Sequence, residues 1–333
     1  MNIAIVGATG NVGRKIIEVL ENKKFPISEL FLVASSRSSG KKINFKGKEH
    51  TIIDLEKFDF SKVKIAFFAA GSAVAEKWAN KAAEKTIVID NSKFFRKDPD
   101  IPLIVPEVNS EELTYVKNKN IIANANCSVI PLVVALKPLH DLYIVKRIVV
   151  STYQSVSGAG KAPMDELLSQ TKEYFENKNL KSKYFTKQIA FNVIPHIDSF
   201  LKNGNTKEEQ KTTDEVKKIL DKKIKITSTC VRIPVFVSHS ISANVEFDKK
   251  CNLEEIKNVL STSPGCKVVD EQKDGGYITP IEAEGDYSTF ISRIRKDHSN
   301  IKALNIWVVS DNLLKGAALN TIQIAEHLIK IRR

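Results

Sequence analysis

The first twenty residues limit the fold of this chain more than any other stretch. Residues 2–6 read NIAIV, an apolar run typical of a buried strand, and residues 11–20 place apolar side chains on one face of a helix. Glycines spaced G-x-x-G-x-x-G permit a tight turn, close approach of the backbone to a pyrophosphate and close packing of helix on strand. The stretch therefore predicts a dinucleotide-binding strand–turn–helix unit. The expected cofactor contacts are Gly7, Thr9, Gly10, Asn11, Val12 and Gly13.

The end of the second predicted strand bears on which dinucleotide is bound. Residues 30–34 read LFLVA, and an NAD site usually has an acidic residue after such a strand to bind the ribose hydroxyls. This chain has SSRSS at 35–39 instead. The guanidinium of Arg37 and the hydroxyl of Ser38 suit a 2′-phosphate, so we predict NADP(H) rather than NAD. The alternative is an exposed basic loop with no ligand.

Alternating strands and helices continue through the first third of the chain. Strand-like runs at 64–71 and 86–90 flank a predicted helix at 73–83. This order predicts a parallel sheet, which binds ligands at the carboxyl ends of its strands. Arg96 follows the last of these strands and could hold an anion, although arginine is more often a surface residue.

A cysteine lies in a short polar turn between two apolar segments. Residues 121–123 resemble the end of a buried strand, the turn contains Asn126-Cys127-Ser128, and residues 129–136 have helical apolar character. At a helix start, the unpaired backbone N–H groups and the positive end of the dipole stabilise a thiolate. Cys127 is therefore a candidate nucleophile. The alternative is a small buried thiol that packs the first turn.

The middle of the chain adds further polar candidates. Gln154 interrupts an apolar strand that runs into the Ser157-Gly158 loop, where a nicotinamide or ribose could approach the backbone. Residues 226–240 read as one strand that contains Arg232 and His239. Burying an arginine is unfavourable in free energy unless it meets an anion. The histidine beside it could carry protons or have a structural role. Residues 206–220 predict a helix whose charges we expect to be mostly solvated.

Composition excludes several other classes of function. A chain of 333 residues is long enough for about two domains. Its four cysteines lie far apart, so neither a disulfide framework nor a zinc or other metal site is predicted. The net charge of +12 is scattered, so we expect no nucleic acid partner. With no membrane-spanning stretch and no signal peptide, we expect a cytoplasmic protein without a membrane partner.

Several motifs follow one another in a fixed order along the chain. They are GATGNVG at 7–13, NCS at 126–128, QSVSG at 154–158, RIPV at 232–235 and the histidine at 239. Together they resemble the aspartate-semialdehyde dehydrogenase family, and WVVSDNLLKGAALN at 307–320 is similar to its closing motif. One departure is Ala125, where that family commonly has proline; the change leaves the nucleophile in place.

The resemblance implies a reaction through a cysteine. By it, Cys127 attacks β-aspartyl phosphate and expels phosphate, and hydride from NADPH reduces the resulting thioester to aspartate semialdehyde, in lysine, threonine, methionine and diaminopimelate biosynthesis. His239 would move protons, Gln154 would orient the acyl group and Arg232 would bind the substrate carboxylate. The remaining implied contacts are Arg96 for phosphate, Glu208 and Lys211 for substrate, and Ser157, Gly158 and Asn312 for cofactor.

The resemblance also implies a two-domain α/β architecture. A doubly wound Rossmann NADP-binding domain is expected at residues 1–125, completed by a C-terminal helix at 311–333. An α+β catalytic and dimerisation domain, similar to that of glyceraldehyde-3-phosphate dehydrogenase, is expected at 126–310. The family implies a homodimer, sometimes a tetramer.

Two other functions stay open from the sequence. N-acetyl-γ-glutamyl-phosphate reductase would share the cysteine and histidine, but QSVSG at 154–158 and Arg232 seven residues before His239 favour the aspartyl substrate. A dinucleotide-binding regulator without catalysis belongs to a different class. The presence of Cys127, Gln154, Arg232 and His239 together disfavours it.

Overall fold

The structure, a computed structural model, describes residues 1–115 and 119–331. Contacts divide the chain into two units. The N-terminal unit comprises Met1–Ala125 and Ala317–Arg333, and the central unit comprises Asn126–Gly316. The second junction thus falls later than the Asp311 expected from the sequence.

The secondary structure alternates in the N-terminal unit and is strand-rich in the central unit. The strands are β1 (Asn2–Val6), β2 (Glu29–Ala34), β3 (Lys42–Phe45), β4 (Lys48–Thr51), β5 (Ile53–Asp54), β6 (Ile65–Phe68), β7 (Ile87–Asp90), β8 (Leu103–Ile104), β9 (Ile121–Asn124), β10 (Val145–Gln154), β11 (Lys225–Arg232), β12 (His239–Phe247), β13 (Cys266–Val268), β14 (Thr289–Lys296) and β15 (Ala303–Ser310). The α-helices are α1 (Asn11–Asn22), α2 (Ser72–Ala83), α3 (Pro106–Asn109), α4 (Val129–Tyr143), α5 (Lys161–Phe175), α6 (Lys207–Ile219), α7 (Leu253–Thr262), α8 (Pro280–Ala283) and α9 (Leu319–Ile331). Short 3₁₀ turns include Ser36–Ser38 and Val156–Ala159, and Leu314–Ala318 is a π-helical turn.

The N-terminal unit is built on a parallel sheet. Its strand order, among the described residues, is β5-β2-β1-β6-β7-β9-β8, and each neighbouring pair is parallel. β6 is buried along its whole length, as expected for a strand covered on both faces. The doubly wound Rossmann fold predicted for this part of the chain is confirmed.

The turn between β1 and α1 depends on glycine. Gly7 has a φ of 91°, and a Cβ there would lie 2.7 Å from the carbonyl carbon of Ala69. A Cβ on Gly13 would lie 2.2 Å from the carbonyl oxygen of Gly7, so this glycine lets the helix pack on the turn. Gly10 is the N-cap of α1, and no side chain caps the helix. The helix start is therefore shaped to receive an anionic group.

The central unit is built on a mixed sheet. Its strand order in the described chain is β11-β10-β12-β15-β14-β13; β10 and β11 are parallel, as are β13 and β14, and the other neighbours are antiparallel. α4 contacts this sheet, and its residues from Val129 to Leu136 are all buried. A helix that is apolar around its circumference belongs in a core. The predicted α+β class of this part is confirmed.

Two predicted elements differ from the structure. The single strand expected at 226–240 is wrong: β11 ends at Arg232 and β12 begins at His239. Pro234 has no N–H for a strand ladder, and Ser238 has a φ of 74°, so the segment between them leaves the sheet. The C-terminal helix begins at Leu319 rather than Asp311, because the Asp311 carboxylate accepts the N–H groups of Leu313 and Leu314 in a separate turn.

The described part of the C-terminal helix ends at Ile331. Residues 332 and 333, the end of the predicted helix, lie outside the described residues. Within the described ranges, none of the helices has both the length and the apolar character needed to cross a bilayer.

A pair of glycine substitutions tests the β1–α1 turn. Gly13→Ala should lower the free energy of unfolding by at least about 2 kcal/mol, because its Cβ would collide with the backbone of Gly7. Gly10→Ala should cost less than about 1 kcal/mol, because its Cβ would meet the nearest atom at 3.4 Å. Urea denaturation measures both, and equal losses would contradict the close packing of Gly13 on the backbone of Gly7.

Candidate active site

Cys127 lies in a turn held mainly by the polar groups of Asn126. The Asn126 carbonyl accepts the N–H groups of Val129 and Ile130, each at 2.9 Å. Its side-chain Oδ1 accepts the N–H of Ser128 at 2.9 Å and the Ser128 hydroxyl at 2.8 Å. Ser128 is the N-cap of α4. Cys127 is half-buried directly before that helix, where the dipole favours a thiolate.

His239 is a titratable partner of the Cys127 thiol. Its Nε2 lies 3.3 Å from the Cys127 sulfur. The main-chain N–H of Ser155 donates to Nδ1 at 3.1 Å. Since an N–H can only donate, Nδ1 must accept, and the ring proton of the neutral imidazole resides on Nε2. The Nε2–H therefore points at the sulfur as a donor.

Burial keeps this imidazole neutral. His239 is fully buried, and desolvation, with the positive charge of Arg232, lowers its pKa to about 3. The ring is thus placed to stabilise a negative charge on sulfur through a hydrogen bond and carries no charge of its own. Glu208 opposes this shift only partly.

A buried hydroxyl and amide network supports the histidine. The Ser155 hydroxyl lies 3.0 Å from Nδ1 and donates to Oδ1 of Asn312 at 3.1 Å. Oδ1 of Asn312 also accepts the main-chain N–H of Ser238, and its Nδ2 donates to the Ser157 hydroxyl at 2.9 Å. Ser157 and Asn312 thus lie in the network behind His239. Their contact with a cofactor stays a prediction.

Gly158 lies beside the side chains of His239 and Arg232. A Cβ there would lie 3.2 Å from Cε1 and Nε2 of His239 and 3.4 Å from Nη1 of Arg232. The missing side chain leaves space beside the imidazole and the guanidinium, which is what a ligand approaching both groups requires.

Arg232 and Gln154 end neighbouring strands. They are partners in the parallel register of β10 and β11. Arg232 is buried, and its Nη1 donates to the carbonyl of Ser155 at 2.6 Å. Burial lowers the pKa of Arg232 from its usual value, while the charges of Glu208 and Cys127 oppose that shift. A guanidinium so placed can bind a carboxylate in a bidentate manner.

Glu208 connects several residues of the site. Its Oε1 accepts Nδ2 of Asn126 at 3.0 Å and Nε2 of Gln154 at 3.3 Å, and its Oε2 forms an ion pair with Lys211. Lys211 also contacts Asp198 at 3.1 Å. Burial alone would raise the pKa of Glu208, but Lys211, Asn126 and Gln154 lower it below its usual value. The carboxylate therefore stays ionised.

The charges of α6 are less exposed than the sequence suggests. The predicted helix is confirmed, and it begins with a capping box made by Thr206 and Glu209. The expectation of mostly solvated charges is wrong for Glu208, Glu209 and Glu215, which are buried. Each accepts hydrogen bonds from residues outside α6. These partners explain why the carboxylates tolerate burial.

The predicted residues of the N-terminal unit lie at the carboxyl edge of its sheet. The glycines and Thr9, Asn11 and Val12 form the β1–α1 turn and the first turn of the helix. Arg37 is exposed and Ser38 half-buried in the 3₁₀ turn after β2. Arg96 is buried after β7, and its Nη2 donates to the carbonyl of Asn91 at 2.9 Å. These positions fit an anionic dinucleotide and a further anion.

Sequence reasoning missed Ser155 and Glu215 as possible supports of the site. The N–H of Ser155 fixes the His239 tautomer, and Glu215 accepts the N–H of Asn126 at 2.6 Å. Glu215 follows Glu208 by seven residues, which places both on one face of a helix. That spacing could have indicated from the sequence that Glu215 faces the same side of the helix as Glu208. A backbone donor gives no sequence signal at all.

Comparisons with known proteins agree with this architecture. Family models match residues 2–116, described as the NAD-binding domain of semialdehyde dehydrogenases, and residues 136–315, described as their dimerisation domain. The aspartate-semialdehyde dehydrogenase of Aquifex aeolicus is 51% identical over 98% of each chain. The crystal structure of aspartate semialdehyde dehydrogenase II of Vibrio cholerae, complexed with ASA, has a TM-score of 0.97 at 46% identity and covers 99% of this chain and 98% of that one.

A more distant structure shares the fold. Aspartate semialdehyde dehydrogenase from Candida albicans with NADP has a TM-score of 0.76 at 24% identity, covering 98% of each chain. The Rossmann domain and the matched family models define an oxidoreductase with an NAD(P)-binding domain. The level of identity to curated relatives is more specific still, and the chain belongs to the aspartate-semialdehyde dehydrogenase family, as its motifs predict.

Replacing His239 tests its neutral state. Its folded pKa of about 3 lies below the ordinary value of 6.5, so the unfolded chain binds a proton that the folded chain excludes as the pH falls through that interval. Wild type should therefore lose stability relative to His239→Gln below about pH 6.5. We expect urea denaturation to show a relative loss of at least about 1 kcal/mol between about pH 7 and pH 4.5.

The matched control is the exposed His298, whose replacement by Gln should leave the pH dependence of wild type in place. Parallel stability curves for wild type and His239→Gln would contradict a buried neutral imidazole.

Proposed function

We propose that this chain reduces L-β-aspartyl phosphate to L-aspartate 4-semialdehyde with NADPH, through an acyl-thioester on Cys127. The observation that carries the proposal is the 3.3 Å approach of the Cys127 sulfur to Nε2 of a fully buried, neutral histidine. The reaction would serve lysine, threonine, methionine and diaminopimelate biosynthesis in the cytoplasm. The aspartate-semialdehyde dehydrogenase relatives support the substrate.

The proposed chemistry begins with the thiolate. Cys127 attacks the acyl carbon, the C–O bond to phosphate breaks, and the leaving phosphate carries away the electron pair. NADPH, when bound, would supply the hydride that reduces the thioester. Collapse of the hemithioacetal breaks the C–S bond and returns the electron pair to sulfur. The Nε2–H of His239 stabilises the thiolate at the start and at the end of this sequence, and the tautomer it holds makes it a donor toward the sulfur.

The substrate carboxylate is assigned to Arg232. Its buried guanidinium lies beside Gly158, and a carboxylate there would offset the cost of burying the cation. Gln154, bonded to Glu208, would orient the acyl group. Glu208, held by its ion pair with Lys211, would then act on the substrate mainly by positioning Gln154. Arg96 would bind phosphate.

The N-terminal unit is proposed as the NADP(H) domain. Gly7 and Gly13 let the β1–α1 turn pack tightly against the backbone, because a Cβ at either position would collide with main-chain atoms, and the α1 start has no side-chain cap. Both features suit a pyrophosphate. Arg37 is the proposed 2′-phosphate contact, and Ser157, Gly158 and Asn312 are proposed contacts from the central unit. The Candida albicans relative was solved with NADP.

Domain roles and assembly complete the proposal. Residues 1–125 with residues 317–333, which include α9, would form the cofactor domain, and residues 126–316 the catalytic and dimerisation domain. The family model that matches residues 136–315 is described as a dimerisation domain, which supports a homodimer.

The reverse reaction gives the most direct test. Purified protein with aspartate semialdehyde, phosphate and NADP⁺ should form NADPH only when phosphate is present. Cys127→Ser should lower kcat at least about 1,000-fold, because a hydroxyl is a far weaker nucleophile, with NADPH affinity within about twofold of wild type. Cys266→Ser, a half-buried thiol elsewhere in the central unit, is the matched control.

Phosphate-independent reduction, or a Cys127→Ser variant with more than about a tenth of wild-type activity, would contradict the thioester route. An inactive but NADPH-binding wild type would direct the same assay to N-acetylglutamate semialdehyde.

A charge reversal tests the cofactor preference. Arg37→Asp should raise the KM for NADPH at least about tenfold, because the carboxylate repels the 2′-phosphate, and should change the KM for NADH less than about twofold. Lys64→Asp makes the same charge change just before β6, at the opposite edge of the sheet, and should affect neither. Equal effects of Arg37→Asp on both cofactors would remove this residue from the site.

A further inference from the structure

Glu215 is a buried carboxylate that the proposed chemistry does not use. It lies on α6, with 2% of its surface exposed. Its Oε2 accepts the main-chain N–H of Asn126 at 2.6 Å, a short, charge-assisted hydrogen bond. Asn126 directly precedes Cys127.

The same helix holds Asn126 at a second point. Glu208 accepts the side-chain Nδ2 of Asn126 at 3.0 Å. Glu208 and Glu215 are seven residues apart, about two helical turns, so both face the nucleophile turn. One carboxylate holds the main chain of Asn126, and the other holds its side chain.

The remaining polar atoms of Asn126 are occupied within the turn. Its carbonyl accepts from Val129 and Ile130, and its Oδ1 accepts from Ser128. On the other side, a Cβ on Gly316 would lie 3.1 Å from Cβ of Cys127. The backbone of Cys127 is thus confined, and the Glu215 carboxylate holds the main chain of the preceding residue from outside the turn.

We propose that Glu215 is a positioning residue for Cys127, holding the nucleophile turn so that the sulfur meets the Nε2–H of His239. Without this acceptor, the N–H of Asn126 would be buried without a partner, a state that proteins avoid. The turn would move to find another acceptor, and the 3.3 Å contact between sulfur and Nε2 would lengthen. The thiolate would then lose its donor. The kinetic part of this inference rests on the proposed function, whereas the reactivity of the thiol does not.

The test measures the alkylation rate of Cys127 by iodoacetamide across a range of pH, with peptide mapping to separate it from the other thiols. Glu215→Gln keeps the size of the side chain but replaces the carboxylate by a weaker acceptor. We expect the rate at about pH 7.5 to fall about three- to tenfold, and Glu215→Leu to lower it further. The rate at Cys266 in the same samples should not change.

Glu209→Gln is the matched control. Glu209 is buried on the same helix, but its carboxylate accepts the N–H groups of Thr206 and Cys230 and does not contact the nucleophile turn. This variant should lower the melting temperature while the Cys127 rate stays within about twofold of wild type. A general loosening of α6 would instead lower the rate in both variants.

Steady-state kinetics provide the second measurement. Glu215→Gln should lower kcat by a factor similar to the alkylation rate, with the KM for aspartate semialdehyde within about twofold of wild type, because Arg232 is not disturbed. The proposal is overturned if Cys127 of Glu215→Gln is alkylated at the wild-type rate, or if Glu209→Gln slows the alkylation of Cys127 equally. The comparison of these two variants remains decisive even if Glu215→Leu does not fold. If the wild-type protein has no activity but the Cys127 alkylation rate still falls from wild type to Glu215→Gln to Glu215→Leu, the proposed function is refuted and the positioning role of Glu215 is retained.

Discussion

A single backbone donor determines what the candidate site can do. The N–H of Ser155 occupies Nδ1 of His239, so the proton of the neutral ring is on Nε2, beside the Cys127 sulfur. The imidazole cannot accept a proton from the thiol through Nε2 in this state, and it can stabilise the thiolate once formed. Because the donor is main chain, a side-chain substitution at Ser155 other than proline retains it. The tautomer is a property of the strand β10 geometry and of the loop that follows it.

Charge alternation explains how so many ionisable groups are buried together. Arg232, Glu208 and Lys211 each face an opposite charge or a hydrogen-bond partner, with Asp198 at the end of the series. Removing Lys211 would leave the buried Glu208 carboxylate without its ion-pair partner, which costs on the order of 3–5 kcal/mol. The neutral His239 fits the same logic, since a second cation next to Arg232 would be unfavourable.

The sequence predicted the parts of the fold that depend on local patterns. The β1–α1 turn, the parallel sheet and the helix at α6 follow from apolar periodicity, glycine spacing and capping residues, and the structure has them. The break between β11 and β12 was missed because β-branched residues continue through it, although Pro234 marks it. The buried carboxylates of α6 were missed because their partners lie far away in sequence: Asn126 is 89 residues from Glu215.

The glycine at 158 has a consequence for inhibition and resistance. The imidazole of His239 and the guanidinium of Arg232 both lie within 3.2–3.4 Å of the position that a methyl group at residue 158 would occupy. An electrophile that carries a carboxylate and is no wider than the substrate could use both groups and then react with the thiol. A mutation to alanine that excluded such a compound would exclude the substrate by the same contact. A substitution at Gly158 that gave resistance to such an inhibitor would therefore also abolish the activity of the enzyme.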